Sequence, residues 1–95
     1  MDPPSYGRGA NGEVWNIEES LYTLVELCKE VLSDKPLFFL INSYTTGLSP
    51  TILANILKMT IKKKGKVICG EVGLPMKDSD YILPCGIFGR WESID

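Results

Sequence analysis

The chain has 95 residues, a formal charge of −2 and a hydrophobic content of 44%. It is therefore one small domain or a piece of a larger one, and its apolar content excludes a disordered tail. The slight acidic excess excludes a global attraction to nucleic acid, and the lack of histidine argues against a zinc site.

Residues 1–15 read as a loop. In Asp2-Pro3-Pro4-Ser5-Tyr6-Gly7-Arg8-Gly9 two prolines lock φ and push the residue before each towards extended geometry. The result is a stiff rim of outward carbonyls beside the Asp2 carboxylate, suited to gripping an amine, with the flat face of Tyr6 next to it. Gly7 and Gly9 permit sharp turns around the Arg8 cation, and Asn11-Gly12 is a further turn signal. Taken alone, such dipeptides mark surface turns.

Asn16, with Glu19 three residues on, reads as an N-cap. Ile17, Leu21, Leu24, Val25, Cys28, Val31 and Leu32 follow at helical spacing, so the pattern predicts an amphipathic helix over 16–32, stopped by Pro36. Leu37-Phe38-Phe39-Leu40-Ile41 is apolar without alternation. The predicted strand, 37–42, therefore wants burial on both faces, as in a sheet with helices on each side.

Asn42 to Leu48 is a polar loop leaving the carboxyl end of that strand. Ser49 caps a second predicted helix, 49–64, with Pro50 at its first position. Its buried stripe is Ile52, Leu53, Ile56, Leu57 and Ile61; Lys62, Lys63 and Lys64 fall in its last turn, with Gly65 as the C′ residue. Residues 66–74 and 81–91 read as strands. The link between them is too short for a crossover helix, so the last strand runs antiparallel, and Pro84, Gly86 and Gly89 predict irregular pairing in it.

Beyond these elements, Asp2-Pro3-Pro4-Ser5-Tyr6-Gly7-Arg8-Gly9, then Gly12-Glu13-Val14-Trp15, resembles the Asp-Pro-Pro motif of class I S-adenosylmethionine-dependent methyltransferases. The likeness is to a bacterial group related to the large-subunit ribosomal RNA methyltransferases. It continues in order through Asn42-Ser43-Tyr44-Thr45-Thr46-Gly47, Leu83-Pro84-Cys85-Gly86 and Gly89-Arg90-Trp91-Glu92.

What the resemblance implies is an α/β fold, the C-terminal part of a Rossmann-like methyltransferase sheet with two helices and three strands. The last strand would insert antiparallel between two parallel ones. Both helices would lie on one face, with the other face covered by elements upstream of Met1, and of the strand that leads into Asp-Pro-Pro nothing would remain. The Gly-rich loop that grips S-adenosylmethionine is likewise upstream in that family, so this fragment is expected to be inactive alone.

The resemblance also implies roles. Ligands of open α/β sheets bind outside the carboxyl ends of the strands, so the loop of Asp2 and the loop of Asn42, Tyr44 and Thr45 share one crevice. Asp2, Pro3 and Pro4 would be catalytic, the carboxylate and a proline carbonyl accepting hydrogen bonds from a nucleobase amine. Tyr6 either stacks on a base turned out of its helix or packs, since Ser5 separates it from the prolines. Arg8 meets a phosphate or pairs with Glu13, the former being favoured.

Methylation of pyrimidine carbon 5 needs a cysteine nucleophile in one of these loops, to add covalently to the ring, and none is present. Cys28, Cys69 and Cys85 read as reduced core residues of a cytoplasmic protein, which favours a nitrogen acceptor on RNA, with no metal. No segment is long and apolar enough to span a membrane, and no signal peptide is recognisable. Trp15 and Trp91 read as packing anchors, and the lysine run as a solvated helix end. The uncovered sheet face or edge predicts a homo-oligomer. The alternatives are a non-catalytic module that binds a protein partner through that face, or a methyltransferase with a non-RNA acceptor.

Overall fold

In a computed structural model, which describes residues 1–94, two strands form a short ribbon and three form the main sheet, with two helices packed on it. The ribbon pairs β1 (Tyr6–Arg8) with β2 (Val14–Asn16), antiparallel, so residues 1–15 are not simply the loop predicted from sequence. Gly9 N–H donates to the Glu13 carbonyl at 2.7 Å and closes the turn, in which Gly12 takes a φ of 84°. Three-residue arms with a glycine at the centre of one carry no readable alternation, although Asn11-Gly12 did mark the turn.

Helix α1 (Ile17–Lys29) starts where expected, with Asn16 Oδ1 accepting from Glu18 N–H at 3.1 Å. Its α ladder stops at Lys29, short of residue 32. Glu30, Val31 and Leu32 instead donate to carbonyls three residues back, at 3.1–3.2 Å. This tighter winding carries Val31 off the apolar stripe, and it is 84% exposed while Ile17, Leu21 and Val25 are buried.

β3 (Phe38–Ser43) buries Phe39, Ile41 and Ser43 and turns Phe38, Leu40 and Asn42 to its other face. Helix α2 (Pro50–Thr60) has Ser49 as N-cap, its Oγ accepting from Ile52 N–H at 3.4 Å. Leu53, Ala54, Ile56, Leu57 and Thr60 face the core, whereas Ile52, expected in the stripe, is exposed.

The end of α2 corrects the sequence reading. Thr60 Oγ1 donates back to the Ile56 carbonyl at 2.8 Å, and Ile61 leaves the helix in extended geometry to bury its side chain. Lys62, Lys63 and Lys64 therefore lie beyond the helix, and Gly65 opens the next strand instead of capping in the left-handed region. Gly65 is needed for another reason: a Cβ there would stand 2.5 Å from the Trp91 indole.

β4 (Gly65–Pro75) and β5 (Ile82–Ser93) form a long hairpin, closed where Met76 N–H donates to the Tyr81 carbonyl at 3.0 Å. The order is β3-β5-β4, and β5 is antiparallel to both neighbours. The inserted antiparallel strand is thus present, and β3 and β4 run parallel to each other on either side of it. The expected irregularity is there too: Val72 faces Gly86 and Gly73 faces Pro84, leaving Cys85 as the extra residue of a bulge.

Both helices cover the face that carries Phe39, Ile41, Ile87, Gly89 and Trp91. Gly89 permits this, because a Cβ there would lie 2.7 Å from Leu53 Cβ. Cys69 corrects the expectation of a core residue: it sits on the outermost strand and is exposed.

Met1 makes a parallel bridge to the outer edge of β3. Its ammonium donates to the Leu40 carbonyl at 2.6 Å, and its carbonyl accepts from Asn42 N–H at 2.9 Å. One residue of strand-like pairing therefore does precede Asp2, contrary to expectation. No helix of the described residues is long and apolar enough to cross a membrane.

Candidate acceptor site

The Met1 bridge delivers Asp2-Pro3-Pro4 to the carboxyl end of β3, where the 44–49 loop also begins. The two loops touch: Ser5 and Thr45 share a hydroxyl–hydroxyl hydrogen bond of 2.6 Å. Thr45 N–H donates to Oγ of the buried Ser43 at 3.3 Å, which anchors that bond to the strand end. On the other side, Ile17 N–H donates to the Ser5 carbonyl at 3.1 Å, tying the rim to the start of α1.

Trp15 has a part that sequence reasoning missed. Its Nε1–H donates to the Pro4 carbonyl at 2.6 Å, so one of the two proline carbonyls already has a partner. Asp2 is exposed. Beside it lies an apolar hollow of about 400 Å³ lined by Met1, Asp2, Pro3, Pro4, Trp15, Leu24 and Cys28. Asp2 is the one charged side chain among these.

Tyr6 is 55% exposed, and Arg8 Nε–H donates to its hydroxyl at 3.3 Å. Arg8 is thus not paired with Glu13. The Glu13 carboxylate accepts instead from Asn11 N–H at 3.0 Å. This bond and that of its own backbone N–H, the larger influence, hold its pKa below the usual 4.5.

Tyr44 is exposed, with its ring over the backbone of Gly86, where a Cβ would meet it at 2.6 Å. Asn42 is set apart from this group. It lies on the open sheet face opposite Phe88 and serves the rim through its backbone bond to Met1. Cys85 also departs from expectation. It neighbours Gly86, against which Tyr44 rests, and so lies at this end of the sheet; its thiol donates to the Leu83 carbonyl at 3.4 Å.

The arrangement, two helices on one face of a β3-β5-β4 sheet with polar loops at the carboxyl ends, is the C-terminal part of a methyltransferase fold. A solved structure from Agrobacterium tumefaciens, described as a SAM-dependent methyltransferase, is similar over 96% of this chain, at 31% identity and a TM-score of 0.86. The chain spans 31% of the length of that protein. No family model matches the sequence, and neither does any curated protein.

Proposed function

We propose that this chain carries the acceptor side of an S-adenosylmethionine-dependent methyltransferase that acts, in the cytoplasm, on a nucleobase nitrogen of RNA such as ribosomal RNA. The observation that carries the reading is the 2.6 Å bond between Ser5 and Thr45, which joins the Asp-Pro-Pro rim and the loop after β3 at one mouth. The described residues do not amount to a cofactor site. Of the residues lining the hollow beside Asp2, Met1 alone carries a cation, its ammonium, which is held by the Leu40 carbonyl, and the isolated chain is inactive.

The residues here serve to orient an amine. The Asp2 carboxylate and the Pro3 carbonyl accept its N–H hydrogens and aim the nitrogen lone pair, while the Pro4 carbonyl keeps one lone pair beside its bond from Trp15. Such positioning is the main catalytic resource for an in-line displacement. Tyr6, braced by Arg8, offers an exposed face for the base, and Tyr44 walls the far side. Arg8 retains donors for a phosphate.

The test is residue-resolved NMR with cytidine and adenosine. Signals of Asp2, Tyr6 and Thr45 should move, and Asp2→Ala should remove the response. Movement confined to other residues would overturn the reading. Calorimetry with S-adenosylmethionine should detect no tight binding, and a micromolar constant would refute the acceptor-side assignment.

A second reading, a module that binds a protein partner or a second copy through its open sheet face, has its own support: Phe38 on that face is 60% exposed. Sedimentation tests the second copy, which a monomer at high concentration rules out.

A further inference from the structure

The amino end of the sheet, opposite the acceptor mouth, holds the chain's main concentration of positive charge. Half of its 10 basic residues (Lys35, Lys62, Lys63, Lys64 and Lys66) fall in the turns before β3 and β4 or at the start of β4. Because α2 ends at Thr60 with Ile61 as its C-cap, the lysine run follows the helix instead of forming its last turn. Lys63 and Lys64 of the run line a cavity of about 510 Å³, together with Lys35, Asp34, Leu37 and Trp91.

Lys35, Lys63 and Lys64 face one carboxylate in that lining, inside a chain whose overall charge is negative. Lys63 Nζ donates to the Asp34 backbone carbonyl at 3.2 Å, which ties the two turns together. Lys35 and Lys64 have no hydrogen bond or ion pair among the described residues. Like charges gathered on one concave surface repel one another and focus a field that an anion relieves. Ammonium groups brought in from two turns suit a phosphate, which offers several oxygens to point charges. The volume exceeds what one phosphate fills, and Leu37 with Trp91 gives the remainder an apolar wall.

We propose that this cavity binds the phosphate of a nucleotide, either a free mononucleotide or a unit of an RNA strand. The site does not depend on the methyl-transfer reading, for it lies the length of β3, about 20 Å, from the acceptor mouth. Trp91 lines the cavity, whereas Trp15 sits at the other end of the sheet, so their two indole N–H signals in an NMR spectrum separate binding here from binding at the acceptor mouth.

Adenosine monophosphate, adenosine and a short oligouridylate are titrated at low salt into the chain and into a K35Q/K63Q/K64Q variant. The monophosphate should move the Trp91 indole signal, whereas adenosine, which engages only the acceptor mouth, should leave that signal in place. The variant, whose Trp15 signal reports that it is folded, should bind at least about tenfold more weakly. If the oligonucleotide acts at about tenfold lower concentration than the monophosphate, the phosphate belongs to an RNA backbone; equal or weaker action assigns a free nucleotide. A Trp91 signal that ignores both phosphate compounds, adenosine acting as strongly as its monophosphate, or a variant that responds like the original chain would overturn the proposal.

Discussion

The two faces of the sheet are built from alternate residues of the same strands, yet they behave as different materials. On one, Phe39, Ile41, Ile87 and Trp91 meet two helices and are buried. On the other, Phe38, Leu40, Phe88 and Ile68 share their surface with Lys66, Arg90 and Glu92, among which Glu92 pairs with Lys66 at 3.5 Å and Arg90 at 3.3 Å. Arg90 Nε is shielded from solvent and has that ion pair as its partner, without hydrogen-bond geometry. Apolar sequence alone therefore does not distinguish a packed face from an open one; the helices decide it.

Trp91→Ala would break the contrast most severely. Removing a buried indole from the covered face should cost about 3–5 kcal/mol, a large part of the stability of a small domain, measured as a fall in the urea midpoint. A pair of glycines sharpens the point. Gly89→Ala should cost about 1–3 kcal/mol, because the new Cβ would stand 2.7 Å from the Leu53 Cβ. Gly70→Ala, on the open face, meets only the edge of the Phe88 ring at 3.1 Å, which can turn aside; the same measurement should find it within about 1 kcal/mol of neutral. An equal cost for both would show the open face to be packed in solution.

At the mouth, Ser5→Ala removes an exposed hydroxyl bond and should cost about 0.5–1 kcal/mol. Amide exchange should rise in the 44–49 loop together with residues 2–6, whereas a rise in only one of them would mean that the loops are not coupled. Phe38→Ser, on the open face, should stay within about 0.5 kcal/mol in the same unfolding assay.

The smallest effect is that of Glu13. Its carboxyl pKa is lowered in the folded chain, so its contribution is fully present above the unfolded value of 4.5 and is lost as pH falls through the folded value. Glu13→Gln should therefore lower the melting temperature slightly near neutrality, with the difference vanishing as pH falls through the folded value, so that the acid limb is flatter.

Elements governed by local chemistry were legible in the sequence. Asn16 and Ser49 cap the helices they were expected to cap, Pro50 stands at the first position of α2, and the short link after β4 forces β5 to return antiparallel. The meeting of the rim with the loop after β3 was also expected, though not the Ser5–Thr45 bond that makes it. Other features were illegible because their causes lie far along the chain. Trp15 reaches back to the Pro4 carbonyl, Ile61 leaves its helix to enter the core, and Cys85 is brought beside Tyr44 only by the pairing of β5 with β3.

Local sequence by itself determined where helices begin, where the chain turns, and that a stiff proline rim opens it, because caps, φ restrictions and link lengths act within a few residues. Only the tertiary structure decided which face of β3 is covered, where α2 stops, and that lysines from two separate turns line one cavity. Those outcomes depend on which distant surfaces exclude water together, and spacing along the chain does not encode that.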